Sequence, residues 1–309
     1  MPHMANTQTN DFSKGSVAGN ILRLALPMTV AQLINVLYSV VDRMYIGRLP
    51  DAAGNALTGL GLTFPILSIV TAFANLFGMG GSPLFSIQRG KGDRDRAQVI
   101  LGNTFALLVG TGVALTVVLL VLKRPLLYAF GASDATYPYA DGYLTIYLLG
   151  SVFVMISLGM NQFINAQGFG RTGMLTVLIG AVTNILLDPV FIFVLDMGVQ
   201  GAALATILSQ FLSAVWAVSF LRGKKALIRL EWGSMRLQPK LVWQIVSLGF
   251  SSFVMAITNS IVQVACNSTL QSFGGRPVRG CDDHYQLRAG GGLHPHQRRH
   301  QRRPACDGL

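Results

Sequence analysis

Val99-Ile-Leu-Gly-Asn-Thr-Phe-Ala-Leu-Leu-Val-Gly-Thr-Gly-Val-Ala-Leu-Thr-Val-Val-Leu-Leu-Val-Leu122 carries no charged side chain along its whole length. At the rise of an α-helix, about 20 such residues cross the ~30 Å hydrocarbon core of a bilayer. Six further apolar runs share the pattern, at Ile21–Ile46, Ala56–Phe85, Tyr137–Gln162, Thr172–Leu195, Val199–Leu221 and Leu241–Leu270. Several contain a proline, at Pro27, Pro65 or Pro189, whose freed backbone groups neighbouring helices must satisfy, so bent and bundled spans are expected. Composition agrees, with 51% hydrophobic and 12% charged residues in 309 and a mean hydropathy of +0.49. A globular chain carries about a quarter charged residues, which excludes most soluble folds. The expected class is an all-α polytopic membrane protein.

The net charge of +11 suggests nucleic acid until its placement is considered. With the N-terminus inside, the inner segments hold Lys14 and Arg23, then Arg89, Lys91, Arg94 and Arg96, then Arg171, then Arg222, Lys224, Lys225, Arg229, Arg236 and Lys240. The outer segments hold only Arg43, Arg48, Lys123 and Arg124. This asymmetry follows the positive-inside rule and predicts a multi-pass protein of the plasma membrane with a cytoplasmic N-terminus. The polar start lacks the layout of a signal peptide. Leu22–Met28 and Gln244–Phe250 align, each opening a long span, as if a second copy of a six-helix unit began near Leu241.

Asp42, near the end of the first span, and Asp188, in the fifth, are carboxylates inside spans. A charged Asp at mid-membrane costs roughly 2.5–3.5 kcal/mol on insertion scales, so it normally faces a cavity or a partner. Gln32, Asn35 and Ser39 share a helical face with Asp42; Asn184 precedes Asp188 by one turn, and Gln210 follows Thr206 by one turn. A shared water-filled cavity accounts for all these stripes together. The plainer alternatives are an interfacial Asp42 paired with Arg43, a surface turn at Asp188-Pro189, and a Thr206 bonded to its own backbone. Gly78-Met-Gly-Gly-Ser82 lacks the Gly-Lys-Ser ending of a phosphate loop and reads as close helix packing. The basic loop Arg89–Arg96 reads as solvated. No ATPase signature is present, and the chain is not expected to be an enzyme.

Leu24-Ala-Leu-Pro27, Tyr38-Ser-Val-Val-Asp42 and Gly47 resemble the first helix of the multidrug and toxic compound extrusion (MATE) family. Asn184-Ile-Leu-Leu-Asp188-Pro-Val-Phe-Ile192 and Gly198-Val-Gln-Gly-Ala-Ala-Leu-Ala-Thr206 resemble its fifth and sixth helices. The resemblance covers roughly Ile21–Gly275. It implies a secondary active exporter of cationic or amphipathic drugs, driven by H+ or Na+ entry and needing no other cofactor or metal. It also implies a cation site at Asp42, Asn184, Asp188 and Thr206, and a substrate cavity touching Asn35 and Tyr143. The domains it suggests are a polar segment 1–19, a first six-helix lobe 20–222, a cytoplasmic linker 223–240 and the first helix of a second lobe, 241–275. The expected partners are small-molecule drugs and the lipid bilayer, with the chain a monomer that binds no nucleic acid. A lipid-linked sugar flippase of the same superfamily and a non-transporting membrane fragment are the alternatives.

From Arg276 the character changes, with His294, His296 and His300 beside Cys281, Cys306 and several Arg. Zinc and RNA are weaker readings than a third. Codon degeneracy lets 282–292 be encoded by bases that, one position later, yield a run resembling the family's eighth helix. The expectation is an out-of-frame, disordered tail over 276–309 and an inactive, truncated exporter.

Overall fold

The computed structural model describes residues 17–48 and 53–274. The readings made for residues 276–309, including the histidine and cysteine cluster, lie outside them, as do those made for residues 1–16. The helices are α1 Val17–Ile46, α2 Ala53–Gly90, α3 Arg94–Ala129, α4 Tyr137–Leu149, α5 Ser151–Ala166, α6 Gly170–Pro189, α7 Gly198–Arg222 and α8 Pro239–Gly274. A five-residue π turn, Val190–Val194, extends α6, and a short 3-10 turn, Trp232–Met235, precedes α8. Among the described residues there is no strand. Six helices are long and apolar enough to cross a membrane, and seven spans result when the bent pair α4–α5 counts as one. The protein is an all-helical, multi-pass membrane protein. The described residues up to Val264 form one compact unit; of the second, from Ala265 on, only the helical stretch through Gly274 is described.

The fourth apolar run is not the single helix its composition suggests. It breaks at Gly150 into α4 and α5, which meet at a bend of 56°. The Gly150 amide is shared between the carbonyls of Ile146 and Tyr147, tightening the last turn of α4. A Cβ at Gly150 would strike the side chain of Ile207 from α7, so only glycine lets the two helices approach there. From α3, the Thr116 hydroxyl donates to the Leu148 carbonyl at 3.0 Å and lies 2.8 Å from the Ser151 hydroxyl. The polar groups that the break exposes thereby find partners away from water, the condition for irregular backbone at membrane depth.

α2 lies at the centre, packed on α3 and α5, while α6 packs on α1 and α7. One core fills the space between α2, α3 and α5, with Phe85 edge-on to Phe163 at 5.4 Å. A second gathers Ile46, Leu60, Tyr143, Tyr147, Ala202 and Ile207 around the opposite end of α2. Away from these cores the apolar side chains face outward: Val113, Val117 and Val121 form an exposed row on α3, as do Leu33, Val36, Leu37, Val40 and Met44 on α1. In water such rows would be costly; in hydrocarbon they are the contact surface.

The glycines of Gly78-Met-Gly-Gly-Ser82 serve helix packing, each against a different neighbour. A Cβ at Gly78 would press on Gly159 of α5, one at Gly81 on Thr104 and Phe163, and one at Gly80 on the Ile245 carbonyl of α8. α8 reciprocates, for a Cβ at Gly249 would strike the Leu76 carbonyl. Along the same interface Phe73 meets Phe253 at 5.0 Å, and the Ser260 hydroxyl donates to the Pro65 carbonyl at 3.2 Å.

The segment Arg89–Arg96, of which only 91–93 lie outside the helices, is exposed as its solvated reading expects at every residue but one. Arg89 is half-buried, and its guanidinium donates to the Ala166 carbonyl at the end of α5 at 2.8 Å. Four carbonyls at every helix end lack an intrahelical donor, and a cation is well placed to satisfy one. Asp93 caps α3 by accepting from the Arg96 amide at 3.0 Å. At the other end of the bundle Lys123 reaches Asp141 at 2.8 Å and the Thr145 hydroxyl at 2.7 Å.

Candidate functional site

Asn184 and Asp188 stand one helical turn apart on α6, and both are buried, Asp188 completely. The Asn184 amide nitrogen donates to Asp188 Oδ1 at 3.2 Å and to Thr206 Oγ1 of α7 at 3.4 Å. The Thr206 hydroxyl in turn donates to the Ala202 carbonyl at 2.9 Å. Thr206 thus makes the backbone bond of an ordinary helix threonine and also joins the cluster. The two Asn184 contacts, one for each amide hydrogen, are long beside the usual 2.9–3.0 Å.

The remaining acceptors of this cluster are unsatisfied. Asn184 Oδ1 and Asp188 Oδ2 are buried and accept no hydrogen bond. Among the described residues Asp188 makes no ion pair. A buried carboxylate oxygen with neither donor nor cation is costly, and both unsatisfied groups of the Asn184–Asp188 pair are oxygens. The set therefore suits a proton or a hard monovalent cation, which prefers oxygen ligands. Directly after Asp188, Pro189 lacks an amide and the chain widens into the π turn, closed by the Leu195 amide on the Val190 carbonyl at 2.9 Å. A Cβ at Gly201 would strike the backbone of Phe191 in that turn, so α7 packs directly on it.

α1 brings Asp42 to the same place, near enough to Asp188 for the two carboxylates to interact electrostatically. Two carboxylates on separate helices repel when both are ionised, and a shared proton or a cation removes that repulsion. From α4, Tyr143 is buried against Thr206 within reach of the Asp42 charge, and it stacks on Tyr147 at 6.2 Å. Asn35 is half-buried on α1, where its backbone carbonyl accepts from Ser39 at 2.9 Å; no hydrogen bond ties its side chain to the cluster among the described residues. Gln32, expected on the same polar stripe, is exposed. Two aromatic residues near the cluster escaped the sequence reading. Tyr38 lies within electrostatic reach of both Asp42 and Asp188, and Tyr147 stacks under Tyr143. Tyr38 sits one turn before Asp42, a spacing that could have flagged it.

Apolar spans packed around buried acidic and amide oxygens contributed by separate helices define a polytopic membrane protein with a polar site inside its bundle, the layout in which intramembrane carboxylates act. Its relatives are consistent with that class. The MatE family profile matches residues 27–190, more than half of the sequence, and the chain belongs to this family. It is 27% identical over 273 residues to the multidrug export protein MepA of Staphylococcus saprophyticus, and 26% identical over 273 residues to that of Staphylococcus aureus. Each alignment takes in 88% of this chain and 60% of the relative, so the chain spans about three fifths of the length of these curated proteins. Among solved structures it is similar to a multidrug resistance MATE family transporter of the MOP superfamily in an outward-facing conformation. That likeness has a TM-score of 0.75 and 25% identity, over 84% of this chain and 57% of the other.

Proposed function

We propose that this chain carries the cation-coupling part of a secondary active multidrug exporter, which expels cationic or amphipathic compounds in exchange for H+ or Na+. The observation that carries the reading is the pair of buried, unpartnered oxygens, Asn184 Oδ1 and Asp188 Oδ2, in the cluster that Thr206 joins. The names of the MepA relatives and of the MATE structures support the drug substrate. Asp188 holds the cation, Asn184 and Thr206 complete its oxygen shell, and Asp42 couples that shell to α1. Tyr143 and Asn35 line the space in which the drug competes. A ligand shifts a conformational equilibrium only through its different affinity for the two states. A cation that draws α1 and α6 together does this, and drug binding to the separated form does the opposite.

The test is retention of radioactive Na+ by the purified chain in detergent, with proton release followed in parallel and ethidium as competitor. Saturable binding of one ion, with release of ethidium as it binds, is expected. Thr206→Val removes one oxygen while keeping the side-chain volume, and should weaken cation binding about tenfold, the order of one lost buried hydrogen-bonding group. Failure to bind either ion overturns the reading.

The same proposal places the protein in the plasma membrane with a cytoplasmic N-terminus, with lobe 20–222 preceding a second lobe that opens at α8. The basic loops around Lys91, Arg171 and Lys224 support it. In intact cells, an impermeant thiol reagent should label a cysteine placed at Asn55 and leave one at Lys91 untouched. The reverse pattern would show the opposite orientation.

A further inference from the structure

Between α7 and α8 the chain runs from Gly223 to Gln238 with no helix beyond the 3-10 turn. Such a segment, rich in Lys and Arg, reads as a slack connection. Its burial says otherwise. Ala226, Ile228 and Leu230 are buried, at 7%, 5% and 4% exposure, while Lys225, Leu227, Arg229 and Glu231 face out. Burial alternates residue by residue although the chain bends at Leu227 and Ile228, and the partner that satisfies its backbone there is a side chain.

Gln167, fully buried at the end of α5, provides the pairing. Its Oε1 accepts from the amides of Leu227 at 2.9 Å and Ile228 at 3.2 Å, and its Nε2 donates to the Ile228 carbonyl at 3.2 Å. Gly168, with φ +88, ends α5 immediately afterwards in a conformation that glycine adopts at little cost. The Leu230 amide bonds back to the Leu221 carbonyl of α7 at 3.0 Å. Further along, Asn103 of α3, also fully buried, donates to the carbonyls of Ser234 at 3.3 Å and Arg236 at 3.0 Å, and accepts from the Gln238 amide at 2.8 Å. Beside it, a Cβ at Gly102 would strike the Ser234 carbonyl, so the segment rests on α3 backbone to backbone.

We propose that Gln167 and Asn103 are positioning residues that clamp 223–238 as a rigid strap onto α3 and α5, so that any movement of α8 bends the chain after Gln238 and not within the strap. Each amide spans both a donor and an acceptor of the strap backbone, which an apolar side chain of the same size cannot do. Unclamped, the buried Ile228 would lose the partners of both its amide and its carbonyl, and the part-buried amides of Leu227 and Gln238 would lose their acceptors. The inference holds whichever ion or drug the protein takes, so its failure and that of the transport reading are separate results.

Trypsin acting on the chain in inside-out membrane vesicles tests it. Lys224, Lys225 and Arg229 are exposed side chains on a held backbone, and cleavage there follows the population in which the strap opens. Gln167→Met should raise cleavage at these three sites about tenfold, the order expected when buried amides lose their acceptor, with cleavage at Lys91 and Arg94 unchanged. Gln167→Glu keeps the acceptor for both amides but sets a carboxylate oxygen against the Ile228 carbonyl in place of the Nε2 donor, so cleavage should stay above the unsubstituted level. An equal rise at both loops, or no rise at either, overturns the proposal. A second measurement needs no destabilising change. With Cys266, Cys281 and Cys306 replaced by Ser, a spin label at the exposed Leu227 should show the immobilised spectrum of a label at helical Val121. A fast, isotropic spectrum there would show a slack linker instead.

Discussion

Asp188→Asn is expected to abolish saturable cation binding by this protein while leaving its insertion and folding intact. The substitution keeps the shape of the side chain, and an amide oxygen at the Oδ1 position can still accept from Asn184, 3.2 Å away. What disappears is the negative charge. A unit-charge pair 4 Å apart at an effective dielectric near 20 is worth about 4 kcal/mol, which is about three orders of magnitude in affinity. Melting in detergent should hold or rise, because a buried charge without an ion-pair partner among the described residues has been removed. In a longer protein containing this chain, the same change should abolish resistance to a cationic dye. Cation retention or dye resistance at the unsubstituted level would remove Asp188 from the coupling role. Asp42→Asn should also weaken binding, though less, because Asp42 is only half-buried and reaches the cluster from a helix in contact chiefly with α6.

Gly249→Val should be the most damaging single change to the fold. Gly80 and Gly249 sit where α2 and α8 cross, and a Cβ on either would meet carbonyl oxygen of the other helix, which has no flexible end to turn aside. Small residues at such crossings let backbones approach in the membrane, where there is no hydrophobic drive to bring helices together. Overpacking a tight site costs about 1–3 kcal/mol, and here separation of the helices would also part Phe73 from Phe253 and Ser260 from Pro65. Gly61→Ala is the control, for a Cβ there meets nothing within 4 Å. Within a helix that change should be neutral or stabilising by about 0.5–1 kcal/mol. The readout is the melting temperature of the purified protein in detergent. Equal melting of the two variants would mean that the crossing contributes no more than an open helix surface.

Much of the helical layout was visible in composition because the bilayer imposes its own length. Twenty-odd predominantly apolar residues with few charges have few alternatives to a span, and seven runs of that kind correspond to α1–α8 once α4 and α5 are joined. The Gly150 break was not visible. Apart from Asp141 near its start, Tyr137–Gln162 is long and apolar enough to read as one span, and the neighbour packed against Gly150 is Ile207 from another helix. Within the site, Asn184 and Asp188 were legible as a pair because a spacing of four residues puts two side chains on one face of a helix. Gln167 went unread for the opposite reason. Nothing near it in sequence needs an amide, and the backbone it satisfies lies sixty residues away.

The sequence by itself determined the solvent, the element type, the approximate ends of the spans and which helical faces are polar, since each of these depends on local hydropathy and on the 3.6-residue period. Its motifs also carried the family. The tertiary structure alone decided which polar faces meet: that Asp42 comes within reach of Asp188, that Thr206 shares the Asn184 amide, that Gly80 lies on Gly249, and that a basic linker is held by two buried amides. Periodicity states the face a residue occupies and is silent about the partner. The partner is set by how helices from distant parts of the chain cross, which depends on the summed packing of small residues, prolines and breaks that no local window contains.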